Sequence, residues 1–172
     1  MKKLTNNKTL VNENLIYTSL TILLFLSFFN LLIFSGNWSG DPEIHVVFAE
    51  NLLEGYPLQF NKGELTSGNT SQIYLIFISF LMLIFPKIWI PFLMKFFSLF
   101  SVSLLVFLVT KQIMKKLELH DLKLFFFILL SFFSYPFIFF QGWLGMENPF
   151  FALLYFYIVT LVINDKIFLE NI

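Results

Sequence analysis

Twenty consecutive residues near the amino terminus, 15–34, carry no charge. As a helix they extend about 30 Å, the thickness of a bilayer core. Four further apolar runs follow at 73–85, 91–110, 124–140 and 149–163. Composition removes the water-soluble alternative. Of the 172 residues, 58% are hydrophobic, 20% aromatic and 13% charged, whereas a soluble domain has about 45–50% apolar and 25% charged residues. Twenty-six phenylalanines exceed what one small soluble core can bury. The same composition excludes disorder, which needs low hydrophobicity and high net charge. Eleven basic and eleven acidic residues balance to zero, so there is no nucleic-acid footprint. The chain has no cysteine, hence no disulfide and no thiolate metal site.

Lys2, Lys3 and Lys8 precede the first run, as in a signal peptide. The apolar stretch is too long for a cleaved segment and no A-x-A-like site follows, so it reads as a retained anchor. Run 73–85 is the ambiguous one. Its 13 residues give about 20 Å of helix, the length of a re-entrant or interfacial segment. Lysine placement arbitrates, because short cytoplasmic loops collect positive charge. If the run crosses, four lysines lie inside (Lys2, Lys3, Lys8, Lys87) and six outside. If it only dips into the outer leaflet, Lys111, Lys115, Lys116, Lys123 and Lys166 join the inside, making eight, with Lys62 and Lys87 outside.

The expected fold is therefore an all-α polytopic transmembrane bundle, with four full spans plus a re-entrant or juxtamembrane helix. Residues 1–14 and 164–172 fall in the cytoplasm, flanking a membrane region over 15–163. Loops 35–90 and 141–148 face outward, and loop 111–123 faces inward. The membrane lipids are its first partner.

The long outward loop opens Ser39-Gly40-Asp41-Pro42-Glu43. Asp before Pro marks a helix start, with Asp41 as cap and Pro42 at the first helical position. The helix should run to Leu53 or Glu54 and stop at Gly55. Ile44, Val47, Phe48 and Leu52 then share one face, as in an amphipathic helix on the outer membrane surface. Asp41 as a mere cap is one reading. Catalysis is compatible with it, because one oxygen can take the backbone N–H while the other faces a substrate.

The second outward loop ends Gly145-Met146-Glu147-Asn148-Pro149, where Asn148 and Pro149 suit the start of the next helix. Glu147 is thus not needed as a cap. It is either a hydrated interfacial acid or a partner of Asp41 on the same membrane face, the two acting as general base and as metal or hydrogen-bond partner. Lys95 is the one charge inside an expected span, about 6 Å from its outer end. It either snorkels to the headgroups or holds a lipid phosphate. Glu43 and His45 are secondary candidates; His45 lies one turn after Asp41 and is either a packed residue or a ligand.

In order, Gly40-Asp41-Pro42-Glu43-Ile44, Ala49 to Leu58, Phe60-Asn61-Lys62-Gly63-Glu64, Gly68 to Tyr74, Lys95 and Gly145 to Pro149 resemble the amino-terminal part of GT-C type polytopic glycosyltransferases. The likeness is to bacterial mannosyl/arabinosyl-transferase-like membrane proteins that use polyprenyl-phosphate sugars, and it covers about residues 10–165. The resemblance implies a catalytic acid in the first outward loop, matched by Asp41, and another acid in the second, matched by Glu147. It also implies a partly embedded helix in the long loop. Two departures stand out. Pro42 separates Asp41 from Glu43 where many relatives have adjacent acids, and Gln72 follows Thr70-Ser71 where relatives often have Pro.

The implied function is transfer of a sugar from a polyprenyl-phosphate donor to an acceptor hydroxyl on a glycan, lipid or protein. The transfer takes place at the outer face of a bacterial plasma membrane. Asp41 serves as base, Lys95 holds the donor phosphate, and Glu147 positions a divalent metal, the acceptor or the donor. GT-C enzymes have many more spans, so the chain is expected to be the front part of such an enzyme, partnered by the missing carboxy-terminal portion. An inert fragment or interaction subunit is the alternative, and a small transporter or flippase a third reading.

Overall fold

The computed structural model describes residues 40–66, 68, 71–117 and 136–170. Within the first apolar run it describes 15, 18–20, 22–24, 26–31 and 33, and each of these is helical. The helices beyond that run are α1 (Asp41–Leu53), α2 (Gln72–Ile84), α3 (Ile90–Lys116), α4 (Pro136–Leu144) and α5 (Asn148–Glu170). A 3-10 turn at Lys87–Trp89 joins α2 to α3. No strand occurs among the described residues; Gln59 and Leu65 form one isolated antiparallel bridge. The all-helical expectation therefore holds for what is described.

Membrane-crossing length is met more narrowly than expected. Among the described residues, the 30-residue stretch Lys87–Lys116 is the one helix long and apolar enough to cross a membrane. α2 has 13 residues, about 20 Å, and is too short. The apolar part of α5 stops at Ile163, before Asn164, Asp165 and Lys166, and also falls short. Residues 124–135 of the expected span 124–140 lie outside the described residues, as do 118–123 of the inward loop.

α1 begins differently from the expectation. Gly40, at φ 92°, occupies the cap position, and Asp41 is the first helical residue with no side-chain capping bond. The Glu43 N–H donates to the Gly40 carbonyl at 3.0 Å. Glycine can open the helix one residue early because it reaches a backbone conformation closed to aspartate. At the other end the Gly55 stop is as read. The Tyr56 N–H reaches the Asn51 carbonyl (2.8 Å) and the Gly55 N–H reaches the Leu52 carbonyl (3.1 Å), a Schellman ending with Gly55 at φ 89°.

The buried face of α1 is also rotated from the expected stripe. Pro42, His45, Val46, Phe48, Ala49 and Asn51 are buried, while Ile44, Val47 and Leu52 are half-buried. The cause is packing: the side of α1 that lies against α2 is the one that becomes covered. Val46, Phe48 and Ala49 join Tyr74, Leu75, Ile78 and Leu81 of α2 and Ile90 and Met94 of α3 in one core, with Phe150 and Phe151 of α5 against its edge. α3 is the central element and also packs on the amino-terminal helix. Leu23 meets Val102, Val106 and Phe107 there, and the buried Ser27 and Ser103 hydroxyls bond at 2.8 Å. α2 leaves Ile73, Ile76, Phe80 and Leu83 exposed along one side, at the helical spacing of a single stripe.

Candidate functional site

The site forms where the turn between α4 and α5 meets α1, α2 and α3. α4 ends on Gly145 at φ 77°. The Met146 N–H donates to the Gln141 carbonyl (3.1 Å) and the Gly145 N–H to the Gly142 carbonyl (3.2 Å), again a Schellman ending. Here glycine is required twice over. A Cβ at Gly145 would sit 3.2 Å from the Lys95 backbone nitrogen and 3.3 Å from the Met94 carbonyl carbon, so the turn rests directly on the α3 backbone.

Two buried hydroxyls hold that turn. Tyr74 of α2 donates to the Gly145 carbonyl at 2.8 Å, and Ser98 of α3 donates to the Met146 carbonyl at 2.8 Å. Each satisfies a carbonyl that water cannot reach, where an unmet bond costs about 1–3 kcal/mol. Glu147 is thereby fixed at the start of α5. Its carbonyl accepts the Phe151 N–H at 3.0 Å, placing it one residue earlier in the cap than the sequence suggested for Asn148. Asn148 instead donates its side-chain amide to Gln141 Oε1 at 3.0 Å.

The Glu147 carboxylate meets His45 of α1. Nε2 and Oε2 are 3.2 Å apart, with side chains 4% and 12% exposed. An ionised carboxylate can only accept, so Nε2–H is the donor. That hydrogen bond is the main reason the Glu147 carboxyl is held below the usual carboxylate range; partial burial opposes it, and its own backbone N–H adds to it. The helix start at α5 is a further favourable place for negative charge. The His45 ring stands edge-on to Tyr74 at 5.5 Å between centroids, so one tyrosine orients both the imidazole and the turn that carries its partner. Beyond Glu147, Ser71, Gln72, Ile73, Asn148 and Phe151 line an open cleft of about 440 Å³.

The other candidates fall around this centre. Asp41 is exposed at the head of α1, one turn before His45, and neither a hydrogen bond nor an ion pair joins it to Glu147 among the described residues. Glu43 is exposed as well. Lys95 is fully covered. It lies under the Gly145 turn through its backbone, but its ammonium points to α4, 5.9 Å from the centre of the Trp143 ring, a cation–π distance. No group of three or more His, Asp or Glu side chains that could hold a metal ion converges among the described residues.

Sequence reasoning ranked His45 below the two acids, yet it is the residue that contacts Glu147. Its one signal is its place one turn after Asp41 on α1. Tyr74 and Ser98 had no signal, because each bonds a backbone carbonyl, and any residue supplies one.

Comparisons with family models, curated proteins and solved structures give no match.

Proposed function

We propose that this chain is part of a membrane glycosyltransferase of the GT-C type, moving a sugar from a polyprenyl-phosphate donor onto an acceptor hydroxyl at the outer face of the plasma membrane. The reading takes the four-span arrangement, with both ends cytoplasmic and α2 lying in the outer leaflet along its apolar stripe. Bacterial origin follows from the resemblance alone.

The observation that carries the proposal is the His45–Glu147 contact across 102 residues of sequence. It ties the helix bearing Asp41 to the second acidic turn, the arrangement that two acids serving one reaction on one membrane face require. Asp41 is open to solvent and free of a capping bond, as a group that must meet an incoming hydroxyl should be.

In the proposed reaction Asp41 takes the proton of the acceptor hydroxyl as its oxygen bonds the anomeric carbon. The bond from that carbon to the phosphate oxygen breaks, and the electron pair leaves on the polyprenyl phosphate. Glu147, kept ionised by His45, orients the acceptor through the cleft beside it. Lys95 contributes positive charge from its covered place beside Trp143, favouring the phosphate as it departs. Because the leaving group is already stable, orientation and charge placement supply most of the acceleration.

Substituting Asp41→Asn tests the assignment. Sugar transfer from a polyprenyl-phosphate donor should fall about 10²–10⁴-fold, the usual contribution of a positioned base. An unchanged rate would remove Asp41 from the mechanism.

A further inference from the structure

A second cavity lies between α1 and the loop that follows it. Ile44 and Phe48 of α1 form one side, and Phe60, Asn61, Glu64 and Thr66 of the loop form the other, of an open hollow of about 520 Å³. This is within the range of about 300–1,000 Å³ typical of small-molecule sites. The loop is held in shape before any ligand arrives. Buried Asn51 donates its side-chain amide to the Gln59 (2.8 Å) and Phe60 (2.9 Å) carbonyls. The Thr66 N–H reaches the Leu58 carbonyl at 2.9 Å, and the Gly63 N–H reaches Gln59 Oε1 at 2.6 Å.

The lining describes a ligand. Phe60 packs at 5.9 Å on the covered Phe48 ring and remains 42% exposed, an apolar platform at the mouth. Beside it the Asn61 amide donates to Glu64 Oε2 at 3.3 Å. A carboxylate and a carboxamide so placed can take the donors and acceptors of two neighbouring hydroxyls, with the Thr66 hydroxyl as a third group. No cationic side chain lines the cavity. The nearby Lys62 is paired with Glu54 and lies over the Tyr56 ring. An anion would thus face the Glu64 charge without compensation, which disfavours a phosphate. A flat apolar face with a rim of hydroxyls is the chemistry of an uncharged sugar ring.

Asp41, Ile44 and Phe48 stand at i, i+3 and i+7 on α1, along one helical face. A ligand seated on Ile44 and Phe48 therefore has Asp41 one turn further along the same face. We propose that this cavity binds the uncharged saccharide end of the acceptor, with its reacting hydroxyl directed to Asp41. The direction toward Asp41 rests on the sugar-transfer reading; the saccharide site itself does not.

The test needs no turnover. The full chain in nanodiscs is titrated with methyl glycosides of several hexoses and pentoses and with glucose 1-phosphate, followed by saturation-transfer NMR. The expected result is saturable binding of at least one neutral glycoside and weaker binding of the sugar phosphate. Loss of a hydrogen bond to a charged group predicts about tenfold weaker binding in Glu64→Gln, and Phe60→Ala should weaken it comparably. No saturable binding of any glycoside, tighter binding of the sugar phosphate, or unchanged affinity in both variants would overturn the proposal. Failure of the transfer reading looks different: glycoside binding would persist, with its dependence on Glu64 and Phe60, in a chain that transfers no sugar.

Discussion

The turns at Gly55 and Gly145 are built from the same pair of backbone hydrogen bonds, but their surroundings are opposite. After Gly55 the chain enters an exposed loop held mostly by its own short-range bonds, with Asn51 and the Phe48–Phe60 ring contact as ties to α1. A Cβ there would meet nothing within 4 Å. The Gly145 turn is enclosed, and beyond its own two backbone bonds what holds it comes from far away in sequence: Tyr74, Ser98 and the α3 backbone at Met94 and Lys95. A turn closed by its own neighbours can serve as a rim that tolerates change. One closed by two other helices fixes a side chain in space, and Glu147 is the side chain so fixed.

Alanine at each glycine exposes the contrast most strongly. At Gly55 only backbone strain is added, about 1–2 kcal/mol for a left-handed residue. At Gly145 the same strain adds to displacement of the α3 backbone, another 1–3 kcal/mol or so on the scale of overpacked cores. The unfolding midpoint in detergent micelles should therefore drop clearly further for Gly145→Ala than for Gly55→Ala. Equal losses would mean that the enclosure of the second turn contributes nothing.

A double-mutant cycle on His45→Ala and Glu147→Ala sharpens the same point at the next level. Each single change removes a partner from a mostly covered hydrogen bond, at a cost of about 1.5–3 kcal/mol. Because the two residues share one bond, the double variant should be less destabilised than the sum. Strict additivity would show that the two side chains do not meet.

Acid gives the smallest effect of the three. The folded-state carboxyl of Glu147 is depressed, chiefly by His45, so the unfolded chain takes up its proton first as pH falls. Stability from this group is complete above the ordinary glutamate value of about 4.3 and is lost as pH drops through the depressed folded value. The wild type should lose more stability between neutral pH and about pH 3 than Glu147→Gln does. Parallel curves would contradict the pairing.

What could be read in advance was local, and what could not was distant. Gly55 announced the end of α1, and the Asp41-Pro42 pair announced its beginning to within one residue, since Gly40 and not Asp41 takes the cap. The length of 73–85 told correctly that α2 is too short to cross. The face of α1 was misjudged because Ile44, Val47 and Leu52 mark it as well as Val46 and Ala49 do, and only α2 decides which set is covered. The His45–Glu147 contact joins residues 102 positions apart, and no spacing rule connects them. Lys95 stood out as a charge among apolar residues, but the side toward which it turns is set by Trp143 and the glycine turn.

The absence of cysteine makes single-cysteine labelling the most direct measurement of the central claim, that both acidic helix entrances face one side of the membrane. Glu43→Cys, Asn148→Cys and Lys115→Cys are each exposed to a membrane-impermeant maleimide on intact cells and again after permeabilisation. The account predicts that positions 43 and 148 react on intact cells and that 115 reacts only once the membrane is opened. Positions 43 and 148 reacting from opposite sides would contradict it.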